Sequence, residues 1–118
     1  MQDGRAAGRF FALRLRPNQD ICGTLEAFCR ERRIGRAEIR GGVASIIGAV
    51  FEDGRIVEPF ATEMFIRSGR IAAARDGVPE ASLDVALVDY TGVLSEGRLR
   101  RGANPVLMTV EVALEAIE

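Results

Sequence analysis

Histidine, lysine and tryptophan are all missing from this sequence, tyrosine occurs once and cysteine twice. The lack of His removes the commonest metal ligand and the only side chain that titrates near neutral pH without help, which excludes imidazole-based metal centres and His-based acid and base catalysis. Any catalysis falls to carboxylates, Arg, Tyr90 or Cys. With no Lys, all 16 cations are Arg, and 17 acidic residues bring the net charge to −1. A chain so balanced has no overall attraction to a phosphate backbone, so nucleic-acid binding would need a segregated basic patch. A long hydrophobic run is missing too. Val43 to Phe51 is the longest, is broken by Ser45 and Gly48, and falls well short of the roughly 20 residues a membrane helix needs. Arg5 and Arg9 precede no long apolar segment, so no signal peptide pattern appears. The expected compartment is the cytoplasm, with no membrane partner.

What is present suits a folded domain. At 118 residues, with 47% hydrophobic and 28% charged, the chain has room for one core. Residues 1–8 are small and polar and read as a loose terminus, leaving residues 9–118 as a single domain. Phe11, Leu13 and Leu15 share one parity and predict a strand ended by Pro17-Asn18-Gln19. Asp20 is placed to cap a helix whose apolar stripe is Ile21, Leu25, Phe28 and Cys29, with Arg30, Arg32 and Arg33 in its last turn and Gly35 as the residue that ends it. The basic cluster from Arg30 to Arg36 reads as a solvated helix end paired with Glu26 and Glu31. Cys22 and Cys29, seven apart on that helix, are about 10 Å from each other, beyond the roughly 7 Å that a disulfide spans; they are expected to be reduced core thiols.

The rest reads as strands. Arg36 to Phe51 is long, rich in Val, Ile and small residues, and carries Gly41-Gly42 inside it, the mark of a bent or bulged strand. Glu52-Asp53-Gly54 is a hairpin turn, Ile56 to Phe60 a short edge strand interrupted by Pro59, and Thr62 to Ile71 a strand pair joined near Ser68-Gly69. After an Asp-Gly loop at residues 75–81, Ser82 to Asp89 alternates at period two, Tyr90-Thr91-Gly92 turns the chain, and a last alternating strand runs from Val106 to Leu114. The pattern predicts an α+β domain, a twisted and mainly antiparallel sheet with one main amphipathic helix packed on it.

In order and spacing, five features match a known family: the lead from Pro17 to Ile21, Gly41-Gly42 with Ser45-Ile46, Glu63 and Ile66 followed by Gly69, Asp89 with Gly92, and the tract from Gly97 to Leu99. On these the chain resembles the plants-and-prokaryotes conserved (PPC) domain over residues 9 to 115. The resemblance implies an acetolactate-decarboxylase-like architecture and a homotrimer. In many members of that family the segment matching residues 82–105 carries His-any-His on a strand and a third His after a Gly, a set that binds a metal. Those positions are Ser82, Asp84 and Arg98 here. A hydroxyl, one carboxylate and a guanidinium make a poor zinc site, so the expectation is no metal and no other cofactor, with the three residues kept as a degenerate ligand-binding site. Paired in a hairpin, Asp84 and Arg98 would face each other where the metal stood.

Arg100 and Arg101 are candidates for binding a small anion. The family's plant members bind DNA through a separate Arg-Gly-Arg-Pro motif, and Gly97-Arg98-Leu99-Arg100-Arg101-Gly102 lacks both its order and its proline. Direct contact with nucleic acid is therefore not expected without a basic tail, and a DNA association rests on the family alone. The expected function is a non-enzymatic, homotrimeric interaction or small-ligand-binding module, with no catalytic residue assigned. The alternative is an enzyme using Glu63, Asp84, Asp89 or Tyr90 beside the Arg residues of 82–101.

Overall fold

The computed structural model describes residues 3–7 and 9–117. Seven strands form one antiparallel sheet in the order β1-β2-β7-β3-β4-β5-β6, where β1 is Asp3–Ala7, β2 Phe10–Leu15, β3 Arg36–Val50, β4 Ile56–Ala73, β5 Pro79–Val88, β6 Leu94–Arg98 and β7 Val106–Ala116. The single helix among the described residues, α1 (Ile21–Glu31), lies on one face against β5 and β4. This is the α+β class that the alternation and the one helical stripe imply. Asp3–Ala7, which composition leaves as a loose terminus, instead pairs with β2 from Asp3↔Arg14 to Ala7↔Phe10; Met1, Gln2 and Gly8 of that stretch lie outside the described residues. No helix among the described residues is long and apolar enough to cross a membrane.

Period-two alternation decides which side chains make the core. Leu13 and Leu15 from β2, Ala81, Leu83, Val85 and Leu87 from β5, and Val110, Val112 and Leu114 from β7 all point to the inner face, where Ile21, Leu25, Phe28 and Cys29 of α1 meet them. Each fully buried Leu or Phe contributes about 1.5–3 kcal/mol, so the helix is held by its stripe far more than by its 11-residue length. Asp20 caps it as expected, accepting from the Gly23 N–H at 2.8 Å. Both cysteines are free and buried on this helix. The helix ends earlier than Gly35: Arg33 takes the left-handed position at φ 57°, and Arg32 stacks on the Phe11 and Phe28 rings at 5.5 and 5.1 Å.

β4 also departs from the strand pattern expected from the sequence. Residues 56–73 form one continuous strand in the middle of the sheet, not an edge strand followed by a hairpin. Gly69 is no turn residue. A side chain there would meet Leu83 Cδ2 at 2.5 Å and the Ser82 carbonyl at 3.2 Å, so glycine permits close passage against β5. Pro59 is tolerated because β5 pairs only with residues 63–73, and on the other side a bulge at Gly48 carries the β3 register from Ile47↔Ala61 to Ala49↔Val57.

Candidate functional site

The face of the sheet away from α1 carries the residues singled out by sequence. On β5 the outward positions are Ser82, Asp84, Ala86 and Val88, because their alternating neighbours fill the core. The β5–β6 connection is held by Asp89, whose Oδ1 accepts from the Thr91 N–H at 2.8 Å, the Thr91 hydroxyl at 2.6 Å and the Val93 N–H at 3.0 Å, with Gly92 at φ 87°. These bonds, the Thr91 hydroxyl first, hold the Asp89 carboxyl below the ordinary carboxylate range. Asp89 is thereby a turn residue.

The turn sets a register in which Asp84 stands directly opposite Arg98. Their side chains meet as a fork, Arg98 Nε donating to Oδ1 at 3.2 Å and Nη2 to Oδ2 at 3.4 Å. The Asp84 carboxylate raises the Arg98 pKa above its ordinary value, chiefly through that bond. Both side chains remain near half-exposed, at 45% and 46%, so the pair contributes below about 1 kcal/mol to stability. Its importance is positional. Two further ion pairs border it. Arg67, the extra residue in a bulge between Ile66↔Val85 and Ser68↔Asp84, reaches Glu96 at 2.6 Å. Arg55 reaches Asp53 at 2.8 Å and donates to the Glu96 carbonyl at 2.8 Å while lying 4.5 Å over the Phe51 ring.

Gly97 makes that crowding possible, since a Cβ there would stand 2.5 Å from Arg55 Nη2 and 2.7 Å from Phe51 Cδ1. Two recesses of about 520 and 360 Å³ meet at Asp84 and Gly97, the first running to Arg67 and Glu96 and the second to Asp53 and Arg55. Ser82 lies on the same face two residues from Asp84 and pairs in register with Arg70. Of the two arginines assigned to an anion, Arg100 is exposed. Arg101 is turned away, donating to both oxygens of Glu26 at 2.5 and 3.1 Å, with Glu80 at 3.7 Å.

Glu26 was expected at the solvated helix end. It faces inward instead, 8% exposed, and also accepts the Ala81 N–H at 2.8 Å. It ties α1 both to β5 and to the loop after β6. The same loop is held by Asp20, which accepts from Gly102 and Asn104, and by Asn104, whose amide group bonds Val50 N–H, Val50 C=O and Arg100 C=O. For Glu26 a signal existed, since it is four residues from Cys22 on the buried stripe. For Arg55, Arg67 and Glu96 there was none, because bulge and register bring them together.

A metal does not suit this donor set. Of the three positions only Asp84 offers an anionic ligand, and its carboxylate is already engaged by a guanidinium. No group of three or more His, Cys, Asp or Glu side chains that could hold a metal ion occurs among the described residues.

The family model of the Plants and Prokaryotes Conserved (PCC, or PPC) domain matches residues 2–118. The chain belongs to this family. Three solved structures share the PCC fold with it. One, a putative DNA-binding protein from Bacteroides thetaiotaomicron, has a TM-score of 0.79 at 17% identity over 100% of this chain and 85% of its own. A plant- and prokaryote-conserved protein from Pyrococcus horikoshii has 0.71 at 20% identity, over 100% and 82%. A metal-containing protein from Archaeoglobus fulgidus has 0.72 at 22% identity, over 98% and 85%. No curated protein matches the sequence closely enough to be counted a relative.

Proposed function

We propose that this PCC chain is a non-enzymatic module that assembles with copies of itself, as a homotrimer, and presents the Asp84–Arg98 recess to a small ligand in place of the metal site of its family. The observation that carries this reading is the sheet face opposite α1. Val43 on β3 and Phe65 on β4 are register partners, 50% and 54% exposed, and Ile47 with its partner Ala61 lies on the same face beyond the polar pair Ser45↔Glu63. No helix covers them. Apolar side chains gathered on an uncovered sheet face mark an interface. Charges of both signs flank the row, Arg14 and Glu111 on one side and Arg67 and Glu96 on the other, so one copy offers another both partners of an ion pair. Light scattering tests the reading: the mass expected is three times the 12.8 kDa protomer, and a mass of one protomer overturns it.

DNA association is the second reading, favoured by the description of the Bacteroides neighbour. Of the cluster from Arg30 to Arg36, Arg32 is already stacked on two Phe rings. Several phosphate contacts would give steep salt dependence, and the absence of a gel shift at low salt removes this reading. An enzyme using Glu63, Asp84, Asp89 or Tyr90 has less support: Asp89 is occupied by its turn, Asp84 by Arg98, and Tyr90 is 61% exposed against Phe60.

A further inference from the structure

The arginines of this chain are not spread evenly. α1 ends at Glu31 and residues 32–35 lead straight into β3, so Arg30, Arg32, Arg33 and Arg36 stand together where helix gives way to strand, all of them exposed. Two further strands bring cations to the same end of the sheet. The Ile117 N–H donates to the Arg36 carbonyl and the Ala116 N–H to the Arg9 carbonyl, each at 2.8 Å, which puts Arg36 and Arg9 on either side of β7, about 10 Å apart at the usual spacing of strands. On its other flank Arg36 stands opposite Ala72 of β4, and the exposed Arg75 follows the end of that strand.

The sequence sets Glu26 and Glu31 against this cluster, and the structure takes one of them away. Glu26 faces inward onto Arg101 and the Ala81 N–H. Glu115 is taken by Arg40 and Glu80 by Arg101, and Arg30, Arg33, Arg36 and Arg75 form no ion pair among the described residues. Arg9 is held in place without a counter-charge, its Nε and Nη2 donating to the carbonyls of Ala116 and Ile117 at 2.7 and 2.5 Å. The negative end of the helix accounts for one cation, Arg30 in its last turn. It does not account for the others. At the far end of β3 and β4 the balance is reversed, since the hairpin there carries Glu52, Asp53 and Glu58 against Arg55. The net charge of −1 thus hides two poles. A segregated basic patch is what nucleic-acid binding demands of a chain with balanced charge.

We infer that this end of the sheet docks the phosphodiester backbone of a nucleic acid without reading its bases. Arg33 and Arg36, exposed and unpaired, contact phosphates with the bidentate geometry that guanidinium groups favour, and Arg9 and Arg30 extend the contact. The acidic hairpin at the other pole orients the approach. This docking rests on DNA association, the second reading of function, and needs neither the trimer nor the Asp84–Arg98 recess.

Fluorescence anisotropy of the full chain with a labelled mixed-sequence DNA duplex, and with single strands of DNA and RNA, tests the docking from low salt upward. With four arginines on phosphates, the logarithm of the duplex affinity should fall against that of salt with a slope between about −3 and −4. Arg33→Gln and Arg36→Gln should each reduce that slope by about one and weaken binding to every sequence alike, while Glu58→Gln on the far hairpin leaves it unchanged. The single strands show which polymer binds best, and saturable, salt-dependent binding of either supports the docking. Thermal melts certify that the variants are folded. No binding at low salt would remove DNA association and this docking together. Binding that Arg33→Gln and Arg36→Gln leave intact would overturn the docking alone, as would polyglutamate competing as well as the duplex, the result expected if the patch serves an acidic protein.

Discussion

Glu26 is the residue on which the arrangement around the helix depends most. It is buried, and it satisfies the Ala81 N–H and the Arg101 guanidinium at once. Removing it strands a buried donor and a partly buried cation, a loss of the kind that costs several kcal/mol when a buried pair is broken from one side. Arg101 is 44% exposed at its side chain, which sets the expected cost of Glu26→Ala at about 2–3 kcal/mol, a fall in Tm of roughly 10 °C. Arg101→Ala should also destabilise, since it leaves the buried Glu26 carboxylate with the Ala81 N–H as its remaining partner. A thermal melt unchanged by either substitution would contradict this account.

Cys22 gives a pH prediction at the same scale. Burial first, then the negative charges of Asp20 and Glu26, push its thiol from the ordinary 9.0 to about 12, and burial pushes Cys29 to about 11. A pKa raised by folding means that the folded state holds the proton more tightly, so the stabilisation is fully present below about pH 9 and is lost as pH rises toward 12. The urea midpoint should fall above about pH 9, and Cys22→Ala should flatten part of that slope. A midpoint that stays level with pH would contradict the burial. Two thiols held neutral at pH 7 also make poor nucleophiles, in agreement with the sequence reading of Cys22 and Cys29 as core residues.

At the scale of elements, local rules and long-range ones separate cleanly. Asp20 as a cap, the turns at Asp53-Gly54 and at Tyr90 to Gly92, and the alternation of β5 and β7 depend on neighbours in sequence, and each was legible there. The continuity of β4 was not. Gly69 and Pro59 look like punctuation in one dimension, yet one serves contact with β5 and the other sits among the β4 residues bulged out opposite Gly48. Likewise Arg33 ends the helix where Gly35 was the better candidate by residue type. The Asp84–Arg98 pairing followed from turn position and family spacing, but Arg67 and Arg55 beside it depend on a bulge and on a phenylalanine ring.

Glycines test this distinction. Gly48 has φ 61°, and a side chain there would lie 2.5 Å from the carbonyl oxygens of Val57 and Glu58. Backbone atoms cannot move aside as a side-chain tip does, and the left-handed angle adds strain. Gly48→Ala should therefore cost at least about 2 kcal/mol. Gly41, with nothing within 4 Å of its would-be Cβ, is the control: Gly41→Ala should stay within about 0.5 kcal/mol of wild type. Chemical denaturation of the two variants checks both, and comparable losses would contradict the close approach of Gly48 to the Val57 and Glu58 carbonyls.

At the scale of the whole molecule, the sheet has two unequal faces. One is sealed by α1, and the other exposes Val43, Phe65 and Ile47 between two strips of paired charge. Composition alone hinted at this, since the chain has more large apolar residues than one helix covers. The three ion pairs around Gly97 lie on that outer face, so assembly and ligand binding would share a surface. The most direct measurement is sedimentation velocity of wild type and Phe65→Glu at matched concentration. The account predicts a trimer for wild type and dissociation toward protomers for Phe65→Glu, whose exposed position lets the fold survive. A wild-type monomer, or an assembly that Phe65→Glu leaves intact, would contradict it.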